Sequence, residues 1–149
     1  MEVQFSGRDL VRLWFVEEAG KNEMPEELLE PVQTQVLEFL EGNRVEFDLP
    51  FRLLGTDFQL RVWEELRKIP YAKTISYKEL ACRLGDPKSI RAAATANGAN
   101  PIALLVPCHR VIGSDGSLIG YAGGLQRKKM LLEMESGRGG EGQIAIDFG

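Results

Sequence analysis

The sequence is poor in metal ligands and thiols: 149 residues hold one histidine, His109, and two cysteines, Cys82 and Cys108. Two cysteines do not make a disulfide framework, so a reducing compartment is expected. A zinc site built from the usual ligands would need all three residues plus a carboxylate, and no metal is expected. Long apolar runs are also missing. A run such as Ile102 to Pro107 is far too short to span a bilayer, so no membrane partner is expected. The start, Met1-Glu2-Val3-Gln4, lacks the cationic segment and apolar stretch of a signal peptide. A cytoplasmic location, nucleoid-associated in a prokaryote, is therefore expected. A basic excess is lacking too. The net charge is −4, which taken alone argues against a nucleic-acid partner. What is present is ordinary for a soluble domain: 44% hydrophobic and 27% charged residues, enough to bury one core.

The charge is unevenly spread. Residues 1–50 carry twelve acidic and four basic side chains, and residues 51–138 carry eight acidic and fourteen basic ones. An acidic front joined to a basic body reopens the case for a nucleic-acid surface. Three regions are expected: a hairpin-plus-helix front with a linker over 1–50, a body over 51–138, and a Gly-rich tail over 139–149. In the front, Glu2–Phe5 and Leu10–Phe15 flank Ser6-Gly7-Arg8-Asp9, the pattern of a β-hairpin. A helix is predicted from about Pro25, with Leu28, Val32, Val36, Phe39 and Leu40 on one face and Gly42-Asn43 closing it. One hairpin and one helix bury little alone, so the front is expected to pack on the body.

The body opens with Thr56-Asp57-Phe58-Gln59, a capping box that leads a helix carrying Phe58, Val62, Leu66 and Ile69. Ser76-Tyr77-Lys78-Glu79 reads as a second box, and Leu80, Ala81 and Leu84 continue that helix to Gly85. Cys82 is expected in the core. Asp86-Pro87 starts another helix running to Asn97-Gly98. Two short helices around a glycine turn form a helix-turn-helix pattern. Arg91-Ala92-Ala93-Ala94 gives the second helix small side chains that permit close approach, either to a ligand or to a neighbouring helix. A buried strand is predicted over Ala103–Val106, followed by Pro107-Cys108-His109-Arg110, the turn Ser114–Ser117, the loop Gly120–Gly124 and a last helix over about Leu125–Glu135. Ile144–Ile146 is a candidate edge strand.

Cys108 ends the apolar stretch beside the only histidine. A nearby imidazole or cation favours the nucleophilic thiolate. The pair alone leaves a buried structural thiol as the alternative.

The wider pattern is more specific. Asn100-Pro101, an apolar segment, Pro107-Cys108-His109-Arg110-Val111-Ile112 and then Gly120-Tyr121-Ala122-Gly123-Gly124-Leu125 closely resemble the O6-alkylguanine-DNA alkyltransferases. The resemblance runs over about residues 33–135 and includes Phe58–Trp63, Ile75-Ser76-Tyr77 and Arg91. It implies an α/β (α+β) fold: a shortened N-terminal α/β region packed on a C-terminal winged-helix-like helix-turn-helix domain. It implies a monomer that binds double-stranded DNA containing O6-alkylguanine, and an irreversible transfer of the alkyl group to Cys108. No cofactor is implied. By the same resemblance His109 is the base, acting through a water, and Glu135 orients it. Tyr77 donates to the guanine and Asn100 braces the turn before the cysteine. Tyr121, Ala122, Val106 and Pro107 form the base pocket. Arg91 fills the gap left by the flipped nucleotide, and Ala92, Ala93, Tyr77, Lys88 and Arg110 meet the DNA. Lys73 and Lys78 are further candidates for phosphate contacts, with a plain solvated surface as the alternative.

Two departures stand out. Many relatives have Ser at the position of Ala122, so any hydroxyl role is missing. Some relatives hold a zinc in the front, where this chain has no Cys or His before Cys82. Two other function classes stay open on the residues alone: a non-catalytic helix-turn-helix binder of alkylated DNA or regulator, and a cysteine hydrolase.

Overall fold

The computed structural model describes residues 1–18, 20 and 24–137. The tail expected over 139–149, with its candidate strand at Ile144–Ile146, lies outside the described residues. The front is a hairpin and a helix, as its sequence implies. Strands β1 (Glu2–Ser6) and β2 (Asp9–Trp14) pair antiparallel around Gly7, whose φ of +62° suits the turn. Helix α1 (Glu26–Leu40) follows and buries Val32, Val36 and Phe39, which recur at helical spacing.

The front is stitched to the body through the backbone of β2. Leu10 N–H donates to the Pro50 carbonyl (2.9 Å) and Arg52 N–H to the Leu10 carbonyl (2.9 Å). Leu13 N–H donates to the Pro101 carbonyl (2.9 Å) and Ala103 N–H to the Leu13 carbonyl (2.8 Å). One edge of a two-stranded hairpin is thereby paired, which an isolated hairpin could not manage. The front's aromatic side chains join the same core. Phe39 meets Phe47 and Tyr71, while Trp14 and Phe15 reach Tyr121 (centroids 6.2 and 6.4 Å).

The body is helical around one short parallel pair. Helix α2 (Asp57–Arg67) starts at Thr56 with the full reciprocal capping box to Gln59. Strand β3 (Ile75–Ser76) pairs in parallel with β4 (Val111–Ile112). Helix α3 (Tyr77–Arg83) begins directly after β3. Ser76 Oγ accepts from Glu79 N–H (3.0 Å), but Glu79 turns its carboxylate to Arg83 (2.9 Å) instead of closing the box. The next segment opens as a 3₁₀ turn over Pro87–Ser89, capped by Asp86, before helix α4 (Ile90–Gly98). Helix α5 (Leu125–Glu135) ends the described chain. The order α3–turn–α4 is the expected helix-turn-helix, and the whole is a mixed α/β fold. No helix among the described residues is long and apolar enough to cross a membrane.

Two expectations fail. Ala103–Val106 is not a strand. Leu104 takes φ +73°, and Ala103 and Val106 bridge each other across a tight turn. Asn100 makes this possible, because Nδ2 donates to the Val106 carbonyl (2.8 Å) while Oδ1 accepts from Ile102 N–H (2.9 Å). The apolar composition reports burial here, and burial alone does not distinguish a strand from a turn held by an amide side chain. Cys82 is exposed on α3 rather than in the core; Leu80, Ala81 and Leu84 take the inner face.

The centre of the body is Trp63, 2% exposed, whose indole Nε1–H donates to the Ala96 carbonyl (2.9 Å) and locks α2 to α4. Trp63→Ala is expected to cost about 3–5 kcal/mol by urea unfolding, and a loss under ~1 kcal/mol would contradict this packing.

Candidate active site

Pro107 breaks the turn-rich segment, and Cys108–Arg110 wind into a single 3₁₀ turn. Successive side chains, which would point to opposite faces in a strand, here point about 120° apart. His109 and Arg110 converge on Glu135 at the end of α5. His109 Nε2 bonds Glu135 Oε2. Arg110 Nε donates to Oε1 (2.7 Å) and Nη2 to Oε2 (3.3 Å), a forked pair. Ala72 N–H donates to Oε1 (3.0 Å), and Arg110 Nη1 also donates to the Ile69 carbonyl (2.8 Å).

The His109, Arg110 and Glu135 side chains are all buried. Burial alone pushes the Glu135 carboxyl up, but the bonds from His109 and Arg110 more than reverse this and hold it below its ordinary value. Glu135 is therefore an anion, and His109 Nε2 is its donor. Burial lowers the His109 pKa despite the attraction of Glu135, with the Arg110 and Lys128 charges pushing the same way as burial. The imidazole is neutral near pH 7. Its Nδ1 is buried and has no partner among the described residues. A neutral ring donating from Nε2 leaves Nδ1 as the free lone pair. Cys108 is 1% exposed, and burial pushes its thiol up to about 11, opposed by an Asn100 hydrogen bond and the Lys128 charge. Cys108 therefore rests as a protonated thiol, and forming its thiolate needs a base to take the proton.

Pairing of β3 with β4 brings Tyr77, the first residue of α3, beside the segment that follows this turn. Its hydroxyl donates to the Ile119 carbonyl (3.0 Å) and lies 3.4 Å from that of Gly120. Burial, then the charge on Cys108, keeps the phenol above its ordinary value, so Tyr77 stays a proton donor.

The residue that sequence reasoning missed is Lys128. It is fully buried, and Nζ donates to the carbonyls of Val111 (2.6 Å), Ile119 (3.1 Å) and Gly120 (3.3 Å). Burial pulls it down to about 8, opposed by Cys108. The signal was available: Lys128 lies three residues before Leu131 and seven before Glu135, on the inner stripe of α5, where an unpaired lysine does not belong.

A cavity of about 460 Å³ opens beside Tyr77 and is bordered by Arg91, Asn97, Gly120 and Tyr121. Of the four residues expected to form a base pocket, Tyr121 alone borders it. Val106 is buried behind, held by Asn100, and Ala122 is exposed on the loop. Pro107 faces a second cavity on the far side, with Tyr71 and Arg110. The close passage of Gly123 under Phe15 fixes the loop, since a Cβ there would lie 3.0 Å from Phe15 and 2.8 Å from Tyr121. On α4, Arg91 and Ala92 face outward. Ala93 does not; it is fully buried against the core, so the small residues divide between both roles. Arg110 is likewise no surface cation, because its guanidinium is committed to Glu135 and Ile69. Lys73, Lys78 and Lys88 are exposed. Among the described residues no cluster of His, Cys, Asp or Glu could hold a metal.

Comparison with known proteins identifies the family. Residues 57–137 match the family described as 6-O-methylguanine DNA methyltransferase, DNA binding domain. The chain belongs to this family. Among its alkyltransferase relatives, the methylated-DNA–protein-cysteine methyltransferase of Mycobacterium tuberculosis is 53% identical over 104 residues, covering 70% of this chain and 63% of that protein. The inducible enzyme of the same name from Bacillus subtilis is 48% identical over 107 residues, covering 72% of this chain and 60% of its own length. The matched region therefore spans less than two thirds of these curated relatives. The crystal structure of M. tuberculosis OGT in complex with DNA superposes with a TM-score of 0.82 at 43% identity, covering 91% of this chain and 86% of that one. An alkyltransferase structure from Methanococcus jannaschii gives a TM-score of 0.67 at 27% identity, covering 99% and 92%.

Removing the shared carboxylate of this alkyltransferase fold should be costly. Glu135→Gln leaves the Arg110 charge buried without its partner, and a loss of about 3–5 kcal/mol in urea unfolding at pH 7 is expected. Acid should weaken the wild-type chain. His109 is held below 6.5, so the unfolded chain binds a proton that the folded one refuses. Glu135, depressed below 4.5, adds to this at lower pH. The contribution of His109 is therefore full above pH 6.5 and is lost as the pH falls below it. A melting temperature that rises between pH 7 and pH 5 would contradict the assignment.

Proposed function

We propose that this chain repairs DNA by direct reversal, moving an alkyl group from the O6 atom of guanine to Cys108. The observation that carries the reading is a buried thiol next to a neutral imidazole whose Nδ1 is free and whose Nε2 is held by an anion. The family and the DNA complex of the M. tuberculosis relative support it. The target atom lies inside the base stack, so the base must leave the duplex, at a cost of a few kcal/mol. The cavity beside Tyr77 and Tyr121 receives it. Exposed Arg91 on α4 takes the vacated space from the minor-groove side, and exposed Ala92 lets the helix approach.

The chemistry is one displacement. The Cys108 Sγ–C bond forms as the C–O6 bond breaks. The thiol proton passes to His109 Nδ1 through a water, and the imidazolium so formed is stabilised by Glu135. The departing guanine takes up a proton, with Tyr77 as donor once its hydroxyl turns from the Ile119 carbonyl. Lys128 favours the thiolate by its charge and holds the Val111 and Ile119–Gly120 backbone in place. The thioether is stable, so each chain acts once. The lesion-bearing duplex is the partner, and the chain acts as a monomer. Two free thiols fit a cytoplasmic, reducing location. Exposed Lys73, Lys78 and Lys88 supply salt-dependent phosphate contacts.

Incubation with duplex DNA carrying O6-methylguanine, followed by intact-protein and peptide mass spectrometry, tests this directly. One methyl per chain on Cys108 and a burst that stops at one equivalent are expected. Cys108→Ala should bind the duplex and gain no mass. Binding by wild type without a mass gain would leave only a non-catalytic lesion binder, and continued turnover would indicate a hydrolase.

A further inference from the structure

The loop over residues 120–124 is held at both ends, by different parts of the chain. At its start, the Gly120 carbonyl accepts from Lys128 Nζ (3.3 Å) and from the Tyr77 hydroxyl (3.4 Å), inside the site already described. At its far end the anchor comes from the front. Phe15 is buried and directly follows β2, whose backbone is bonded to Pro101 and Ala103 of the body. Its ring meets Tyr121 edge-on, and the Gly123 backbone passes so close that a Cβ there would lie 3.0 Å from it. Arg127, in the first turn of α5, completes the grip. Its guanidinium carbon lies 5.1 Å from the Phe15 ring centre, and its Nη1 donates to the Gly123 carbonyl (3.1 Å). Phe15 lies outside the 57–137 segment that matches the family's DNA-binding domain.

Three of the five residues in this loop are glycine, so its own backbone sets little of its shape. Contacts from outside must set it. Tyr121 borders the cavity beside Tyr77, and its ring goes where the loop goes. Transfer is sensitive to such placement, since a misplacement of about 1 Å can cost about 10²-fold in rate. We infer that Phe15, gripped by Arg127, is a positioning residue for alkyl transfer. It acts through Tyr121 and Gly123 rather than on the base itself. This rests on the alkyl-transfer reading above. Without the ring, the far end of the loop is released while Lys128 and Tyr77 still hold its start, and Tyr121 loses its single place. Helix α4, which carries Arg91, is locked to α2 by Trp63 and keeps its position. The effect therefore falls on the transfer step more than on docking to DNA.

The test is single-turnover transfer from a duplex containing O6-methylguanine, with the protein in excess over a range of concentrations. It separates the transfer rate at saturation from the concentration that half-saturates it. Phe15→Ala should lower the saturating rate at least about fivefold, with a smaller change in the half-saturating concentration. Val36→Ala removes buried apolar volume from α1 of the same front and serves as the control for lost stability. Its saturating rate should stay within about twofold of wild type when all proteins are assayed well below their melting midpoints. If Phe15→Ala does not fold, Phe15→Leu keeps apolar bulk without the flat ring beneath Arg127 and is read against the same limit. A smaller fall in the saturating rate, a weakening confined to half-saturation, or an equal loss in Val36→Ala overturns the inference. Wild type that fails to accept a methyl from O6-methylguanine overturns the functional reading instead, so the two failures are distinct.

Discussion

The buried carboxylate of Glu135 holds the site together. It accepts from His109, from Arg110 twice and from the backbone of Ala72, and so ties the end of α5 to the 3₁₀ turn at Cys108 and to the turn after α2. These three pieces are far apart in sequence and share no sheet or helix. A carboxylate in this position is tolerated only because each of its oxygens is engaged by donors, two of them on a guanidinium. The same contacts fix the chemistry. The anion selects the His109 tautomer, and burial, helped by the Arg110 and Lys128 charges, keeps the ring from protonating.

The other half of the site is held by a cation. Lys128 collects three carbonyls from β4 and the loop that follows, and Tyr77 shares two of them. Cys108 lies between an anionic anchor and a cationic one. The hairpin at the front completes the enclosure, since Trp14 and Phe15 pack on Tyr121 and Arg127 stacks over Phe15. The front thus reaches the pocket loop directly, as well as pairing to the body through backbone bonds.

Much of this was legible in the sequence where a local rule governs the outcome. The hairpin around Gly7, the Thr56 capping box, the glycine turn of the helix-turn-helix and the extent of α5 all follow from short-range chemistry. Legibility failed where a side chain competed with the backbone, as at Asn100, whose amide turns an apolar run into a tight turn. It failed again where composition suggested one face and packing chose another. Ala93 and Cys82 exchange the expected positions for this reason. The roles of Cys108, His109 and Glu135 came from family resemblance, since no spacing rule joins positions twenty-six residues apart. Arg110 and Lys128 were misread or overlooked because charged residues are taken as surface by default. Their buried partners are backbone carbonyls and one carboxylate, which no linear pattern displays.

The central claim is that burial keeps His109 a neutral base while Glu135 holds its Nε2 and leaves Nδ1 free. Nitrogen-15 NMR of the histidine ring measures this directly, and the chain offers a single histidine signal. At pH 7 the spectrum should show a neutral ring protonated at Nε2, charging only below the ordinary value of 6.5. An imidazolium at pH 7, or a neutral ring protonated at Nδ1, would contradict the account.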